Sequence, residues 1–145
     1  MDNYNTPQGM PAYNGGQQPY SYMGFGDAVK KCLNNYATFS GRAGRAEYWW
    51  FFLFQFVVAA VFTTLLTIFA KIELLTYIIM GLNYLVSLAL IVPTLAVAWR
   101  RMHDIGKGGG WYFINLIPLV GTIIWIVWCC RKGEPVPNRF GEPVA

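Results

Sequence analysis

The sequence predicts an all-α integral membrane protein: a three-helix transmembrane bundle with an N-terminal interfacial amphipathic helix. Three observations carry that expectation. Charged residues make up only 12% of the 145 positions, about half the share in a soluble domain. No Asp, Glu, Lys, Arg or His occurs from Tyr48 to Ala70, Leu74 to Trp99 or Gly108 to Cys130, runs of 23, 26 and 23 residues. A bilayer span needs about 20 mostly apolar residues. Just ahead of the first run, apolar residues recur at helical spacing. This excludes an ordinary soluble globular protein, and three cysteines are too few for a secreted disulfide scaffold.

The tail over 1–24 holds Tyr, Gln, Asn, Gly and Pro with one acid, Asp2, and no Lys or Arg. It has no aliphatic run to bury, so it is expected to be disordered. It lacks the basic start and apolar core of a signal peptide. The membrane domain is expected over 25–143. Its first element is a helix over 25–37, where Phe25, Ala28, Val29, Cys32, Leu33 and Tyr36 share one face and Asp27, Lys30, Lys31, Asn34 and Asn35 the other. Such a helix lies in the interface, with its lysines among headgroups, or docks its apolar face on the bundle.

The first span, 48–70, opens on Tyr48, Trp49 and Trp50, amphipathic rings that mark a membrane face. Only Lys71-Ile72-Glu73 separates it from the second, 74–99, so the two form an antiparallel hairpin. Pro93 predicts a kink in the second, tolerated where neighbours satisfy the freed carbonyl. The third block, 108–130, is long enough to span. Gly108 to Gly110, Pro118 and Gly121 interrupt it, so a re-entrant hairpin breaking near Pro118 is the alternative. A short basic tail, 131–145, follows. Basic residues favour the cytoplasmic side, which puts the N-terminus inside and the Lys71 loop outside in both readings. The side of the C-terminus depends on the third block.

Motifs for chemistry are sparse. The three blocks contain no ionisable Asp, Glu, Lys, Arg or His, which argues against a proton-coupled transporter, a pump or a voltage sensor. Gln55, Asn83, Ser87, Thr94, Asn115 and Thr122 are among the polar residues there, and such groups usually bond across helices. His103-Asp104 suggests a metal, but His103 is the only histidine and no ligand set stands at metal spacing. Gly106-Lys107-Gly108 lacks P-loop spacing. Cys129 and Cys130 have no base in sequence reach. No catalytic, cofactor or metal site is expected.

What remains is a charge cluster. The hairpin brings the start of the first span and the end of the second to one interface. Arg42, Arg45 and Glu47 therefore share a depth with Arg100, Arg101 and Asp104. Partly desolvated charges need partners, so Glu47 is expected to pair with Arg100 or Arg101. Asp104 is expected to pair with Arg42 or Arg45, or locally with Arg100. The surplus cations are then left for lipid phosphate.

Phe39-Ser40-Gly41-Arg42-Ala43-Gly44-Arg45-Ala46-Glu47-Tyr48-Trp49, Arg100-Arg101-Met102-His103-Asp104-Ile105-Gly106 and Asn138-Arg139-Phe140-Gly141 occur in that order. Together they resemble the domain-of-unknown-function 805 family of small bacterial inner-membrane proteins, over about Phe25 to Pro143. The resemblance implies a bacterial inner membrane and no assigned activity. The function expected is non-enzymatic, through protein or lipid contacts. The alternatives are a binder of, or enzyme on, anionic lipid headgroups, and a subunit of an oligomeric pore or transporter. The expected partners are the bilayer and its anionic phospholipid, and a protein or a second copy. At pI 9.1 the basic residues flank apolar blocks, so lipid is expected in place of nucleic acid.

Overall fold

The computed structural model describes residues 23–144; the expectation for 1–22 lies outside them. The described chain is helical, with an isolated bridge between Asn138 and Gly141 and no strand. Helix α1 is Phe25–Asn34, α2 Arg45–Ile68 and α3 Glu73–Asp104, followed by a 3-10 helix over Gly109–Leu116 and α4, Val120–Cys130.

Helix α1 carries Asp27 in its first turn and Lys31 in its last, each complementing the helix dipole. Its apolar face docks on the bundle, and Ala28 and Cys32 are fully buried. The helix ends three residues earlier than the periodicity predicts. Asn35 closes it, with backbone N–H and side-chain Nδ2 both donating to the Lys31 carbonyl at 3.0 and 2.9 Å.

Helices α2 and α3 have 24 and 32 residues and, among the described residues, are the two long and apolar enough to cross a membrane. At 1.5 Å per residue, α2 is about 36 Å long. The turn between them is closed by Ile72 N–H to Phe69 O at 2.9 Å and Thr76 Oγ1 to the same oxygen at 3.0 Å. Pro93 sits inside α3 and cannot donate to Ala89, four residues back. The Tyr36 hydroxyl donates to that carbonyl instead. The aromatic residue just past α1 thus completes the backbone bonding of α3.

The third block, one of whose readings was a full span over 108–130, is not one helix. Glycines open it, and its first arm is a 3-10 helix. Pro118 and Leu119 then reverse the chain. Val120 N–H donates to Pro118 O at 2.8 Å across Leu119, which has φ 62° and ψ −64°, a γ-turn of the strained kind. The returning arm, α4, has 11 residues, about 16 Å. Eight residues of 3-10 helix at about 2.0 Å each cover nearly the same distance. Both arms fall well short of a hydrocarbon core of about 30 Å.

The ends of this hairpin meet beside the C-terminal end of α3. The Trp111 and Trp128 rings lie 5.5 Å apart, with Lys107 Nζ over both, 5.2 and 4.5 Å from their centroids. Two glycines allow the close packing. A Cβ on Gly109 would run into the Trp99 ring, and one on Gly121 into the Ile114 carbonyl. The block is therefore a hairpin of two short arms and not one helix of 23 residues.

Tyr36→Phe is expected to lower stability in detergent by about 1–3 kcal/mol, the cost of an unsatisfied carbonyl. In a Pro93→Ala background, where residue 93 regains its N–H, the same change should cost markedly less. Thermal unfolding of the four proteins checks this, and equal costs in both backgrounds would refute it.

Candidate functional site

Helix α3 continues past Trp99 as Arg100-Arg101-Met102-His103-Asp104. All five residues are buried; Arg101 is 0% exposed and Asp104 1%. Buried charges are tolerated only with partners. The partners come from α1, the loop before α2, the first turn of α2, the end of α4 and the C-terminal segment, and divide into two clusters.

The first cluster centres on Glu47, in the first turn of α2 and 0% exposed. Its Oε1 accepts from Arg100 Nη1 at 2.5 Å. Its Oε2 lies 2.8 Å from Lys31 Nζ, an ion pair without hydrogen-bond alignment. The Cys32 thiol donates to Oε1 at 3.8 Å. Burial, and then the Glu47 charge, raise this thiol from its ordinary 9.0 to about 12. It is a donor to the carboxylate and not a nucleophile at neutral pH. Arg100 Nε and Nη2 are buried with no partner among the described residues.

The second cluster centres on Asp104. Oδ1 accepts from Arg42 Nε at 3.0 Å and lies 2.9 Å from Arg42 Nη2, and Oδ2 pairs with Arg101 Nη1. Arg42 also donates to the carbonyls of Glu134 (2.5 Å) and Val136 (2.9 Å). Arg101 donates to Cys129 O, at 3.3 Å from both Nε and Nη2, and to Arg131 O. These carbonyls end α4, where a cation suits the helix dipole. Arg101 thereby ties the returning arm of the hairpin to α3.

The C-terminal segment closes over the cluster. Glu134 N–H donates to Asp104 O at 2.8 Å. Phe140 stacks on the His103 imidazole, with centroids 3.8 Å apart and planes 2° from parallel. His103 Nδ1 lies 3.0 Å from Gly41 O, and Asn138 Nδ2 donates to His103 O at 3.0 Å. The three short motifs singled out in the sequence thus meet in space.

Of the six residues expected to cluster, five do. Glu47 takes Arg100, and Asp104 takes Arg42 with Arg101, three residues earlier, as its local partner. Arg45 is exposed and makes no ion pair with the described residues. The N–H groups of Arg42 and Arg101 not used on Asp104 find backbone carbonyls. Lys31, Cys32, Asn138 and Phe140 were not foreseen at the site. The Asn138-to-Gly141 motif was legible as a motif, but nothing local to it indicates that it folds back onto His103. His103 and Asp104 have separate partners, and no group of three or more His, Cys, Asp or Glu among the described residues is placed to hold a metal.

The family model described as "Protein of unknown function (DUF805)" matches residues 36–142. The chain belongs to the DUF805 family. The matched region begins at the tyrosine that completes α3 and ends just past the motif that stacks on His103. Inner membrane protein YhaI of Escherichia coli strain K12 is 38% identical over 110 residues, covering 76% of this chain and 88% of the relative. Inner membrane protein YhaH of the same strain is 38% identical over 119 residues, covering 79% and 93%. No solved structure matches the chain significantly. The DUF805 chain is thus a relative of bacterial inner membrane proteins, with two helices able to cross the bilayer.

Glu47→Ala should leave Arg100 buried and uncompensated, at a cost of about 3–5 kcal/mol. In a double-mutant cycle, Glu47→Leu with Arg100→Leu should cost less than the sum of the single changes. Unfolding in detergent reads the coupling, and additive values would remove the pair from the account.

The Cys32 thiol gives a signed pH effect. Its folded-state value lies above its unfolded one, so its contribution to stability is complete below about pH 9 and falls as pH rises toward 12. Cys32→Ala should flatten that part of the alkaline stability profile. An unchanged slope would show that the thiol does not keep its proton there.

Proposed function

We propose that this DUF805 chain is a non-enzymatic, multi-pass protein of the bacterial inner membrane that acts through contacts with protein or lipid. In this reading α2 and α3 cross the bilayer, the third block dips in and returns, and both the N-terminal arm and the C-terminal tail lie on the cytoplasmic face. The observation that carries it is the use of the densest polar cluster. Its carboxylates, and the guanidinium groups of Arg42 and Arg101, are occupied with one another and with backbone carbonyls. That is the work of a clasp.

Charge placement supports the orientation. Ten of the eleven Lys and Arg residues lie at the end of the hairpin that carries the cluster; Lys71 alone lies at the other. Such a bias favours a cytoplasmic position for the richer end. Helix α1 then lies along that face, with Lys30 outward and its apolar side on the bundle.

One observation favours a second reading, an anionic lipid headgroup bound at this face. Arg100 Nε and Nη2 keep unused donors, and a guanidinium edge of that kind suits a phosphate bidentately. Phosphatidylglycerol or cardiolipin copurifying with the native protein, and lost from Arg100→Ala, would establish it.

Reporters fused before Phe25 and after Ala145 are both expected to read cytoplasmic, and a cysteine introduced at Glu73 to label from outside. A C-terminal reporter reading outside would overturn the orientation. For the non-enzymatic reading, crosslinking in native membranes should capture a defined protein or lipid. Turnover of phospholipid by the purified chain would contradict it.

A further inference from the structure

We propose that the DUF805 chain binds an uncharged, hydroxyl-bearing lipid of the diacylglycerol class, its polar head held at mid-membrane depth between α2, α3 and the re-entrant hairpin. The proposal deepens the lipid-contact reading above and rests on α2 and α3 lying in the bilayer.

Two adjoining cavities lie there. One, of about 330 Å³, is lined by Gln55, Asn83, Ser87 and Thr94 among apolar neighbours. The other, of about 380 Å³, is lined by Gln55, Thr94, Asn115 and Thr122 beside aromatic walls that include Phe52, Tyr112 and Trp125. They share Gln55, Thr94 and Tyr112. Gln55 is ten residues from Arg45 along α2, and Thr94 ten residues from Asp104 along α3. At 1.5 Å per residue, both lie about 15 Å from the charged face, near the middle of a hydrocarbon core about 30 Å thick.

Thr94 and Asn115 line the cavities and donate to carbonyls of their own segments, Leu90 O and Tyr112 O. Thr63, Thr64 and Thr67, away from the cavities, donate to carbonyls of their own helix at 2.9, 2.8 and 2.8 Å. Gln55, Asn83, Ser87 and Thr122, which line the cavities, have no side-chain hydrogen bond within the described residues. In hydrocarbon an amide without a partner is costly; the Gln55 and Asn83 amides line the first cavity together with the Ser87 hydroxyl, and Gln55 also reaches the second beside Thr122, so these groups call for a partner from outside the chain.

The lining specifies the partner's chemistry. No Asp, Glu, Lys, Arg or His faces either cavity, so a phosphate would meet no counter-charge and the ligand is uncharged. Amides and hydroxyls each donate and accept, which fits a head that does both: a free hydroxyl beside ester carbonyls. A quinone ring only accepts, and would leave the amide oxygens unmatched. The size and the mixture of apolar walls with a few convergent polar groups are those of a small-molecule site. Ile91 and Phe52 line the cavities yet are 50% and 53% exposed. The mouths therefore open sideways, where acyl chains could leave into the bilayer.

The test uses the full chain in phosphatidylcholine nanodiscs containing a diacylglycerol with a photoreactive group next to its glycerol. Adducts are expected at residues lining the two cavities. Unlabelled diacylglycerol should compete, and phosphatidylglycerol and an isoprenoid benzoquinone should not. Gln55→Leu with Asn83→Leu removes hydrogen bonds without introducing charge, and should raise the competitor concentration needed by about ten-fold, the effect of one or two lost hydrogen bonds. Ala59→Phe, which fills the first cavity from the α2 side, should lower labelling by a similar factor. Adducts spread evenly over the lipid-facing helices, competition by the quinone or the anionic lipid, links between two copies, or labelling unchanged in both variants would each overturn the proposal. The variants leave Glu47, Arg100 and Asp104 intact, so this site and the clasp can fail separately.

Discussion

Helix α3 runs one turn beyond its apolar stretch, and in that turn it carries Arg100, Arg101 and Asp104 into a buried position. Moving an ion out of water costs several kcal/mol even after relaxation, so this turn can exist only if the rest of the chain supplies counter-charges and hydrogen bonds. The loop before α2 supplies Arg42, the first turn of α2 supplies Glu47, and α1 supplies Lys31. The end of α4 and the C-terminal segment supply carbonyls. Each segment is drawn to one end of the α2–α3 hairpin by the same need.

The form of the third block follows from this. A block of 23 uncharged residues could cross a bilayer, and length alone favours that. Its far end, however, must return to Arg101, whose guanidinium meets the carbonyls of Cys129 and Arg131. Pro118 and the positive φ at Leu119 make the reversal, and Gly121 lets the arms close to backbone contact. The strain of a non-glycine residue in that conformation, about 1–3 kcal/mol, is modest against the cost of stranding a buried arginine. The polar backbone at the turn is partly internal as well: Ile117 N–H meets Ile114 O at 3.0 Å, and Gly121 N–H meets Ile117 O at 3.0 Å.

Much of this was legible in the residues. Charge-free runs mark α2 and α3, the three-residue link forces their antiparallel arrangement, and that arrangement places Glu47 near Arg100 and Arg42 near Asp104. The choice between Arg100 and Arg101 was not legible. It depends on helix rotation, which is set by what packs on α3: Arg100 faces α1 and Glu47, and Arg101 faces α4. The role of the C-terminal segment was hidden for a related reason. Its hold on the cluster runs through backbone carbonyls at Glu134 and Val136, and carbonyls leave no mark in a sequence. The stacking of Phe140 on His103 joins residues 37 positions apart, beyond any local pattern. Tyr36 read as one more apolar residue of α1, and its hydroxyl matters only because Pro93 leaves a carbonyl free.

Asp104, through Arg42, holds the segment before α2 and the C-terminal segment together at one end of the hairpin. A distance from α1, which leads into the first of these segments, to the second tests this most directly. Spin labels at Lys30→Cys on α1 and Pro137→Cys in the C-terminal segment, both exposed positions, can be placed in a chain whose native cysteines are replaced and measured by pulsed electron resonance in nanodiscs. The account predicts a single narrow distance distribution that broadens and lengthens in Asp104→Asn, while α2 and α3 stay helical. A distribution already broad with Asp104 in place, or one that Asp104→Asn leaves unchanged, would contradict it.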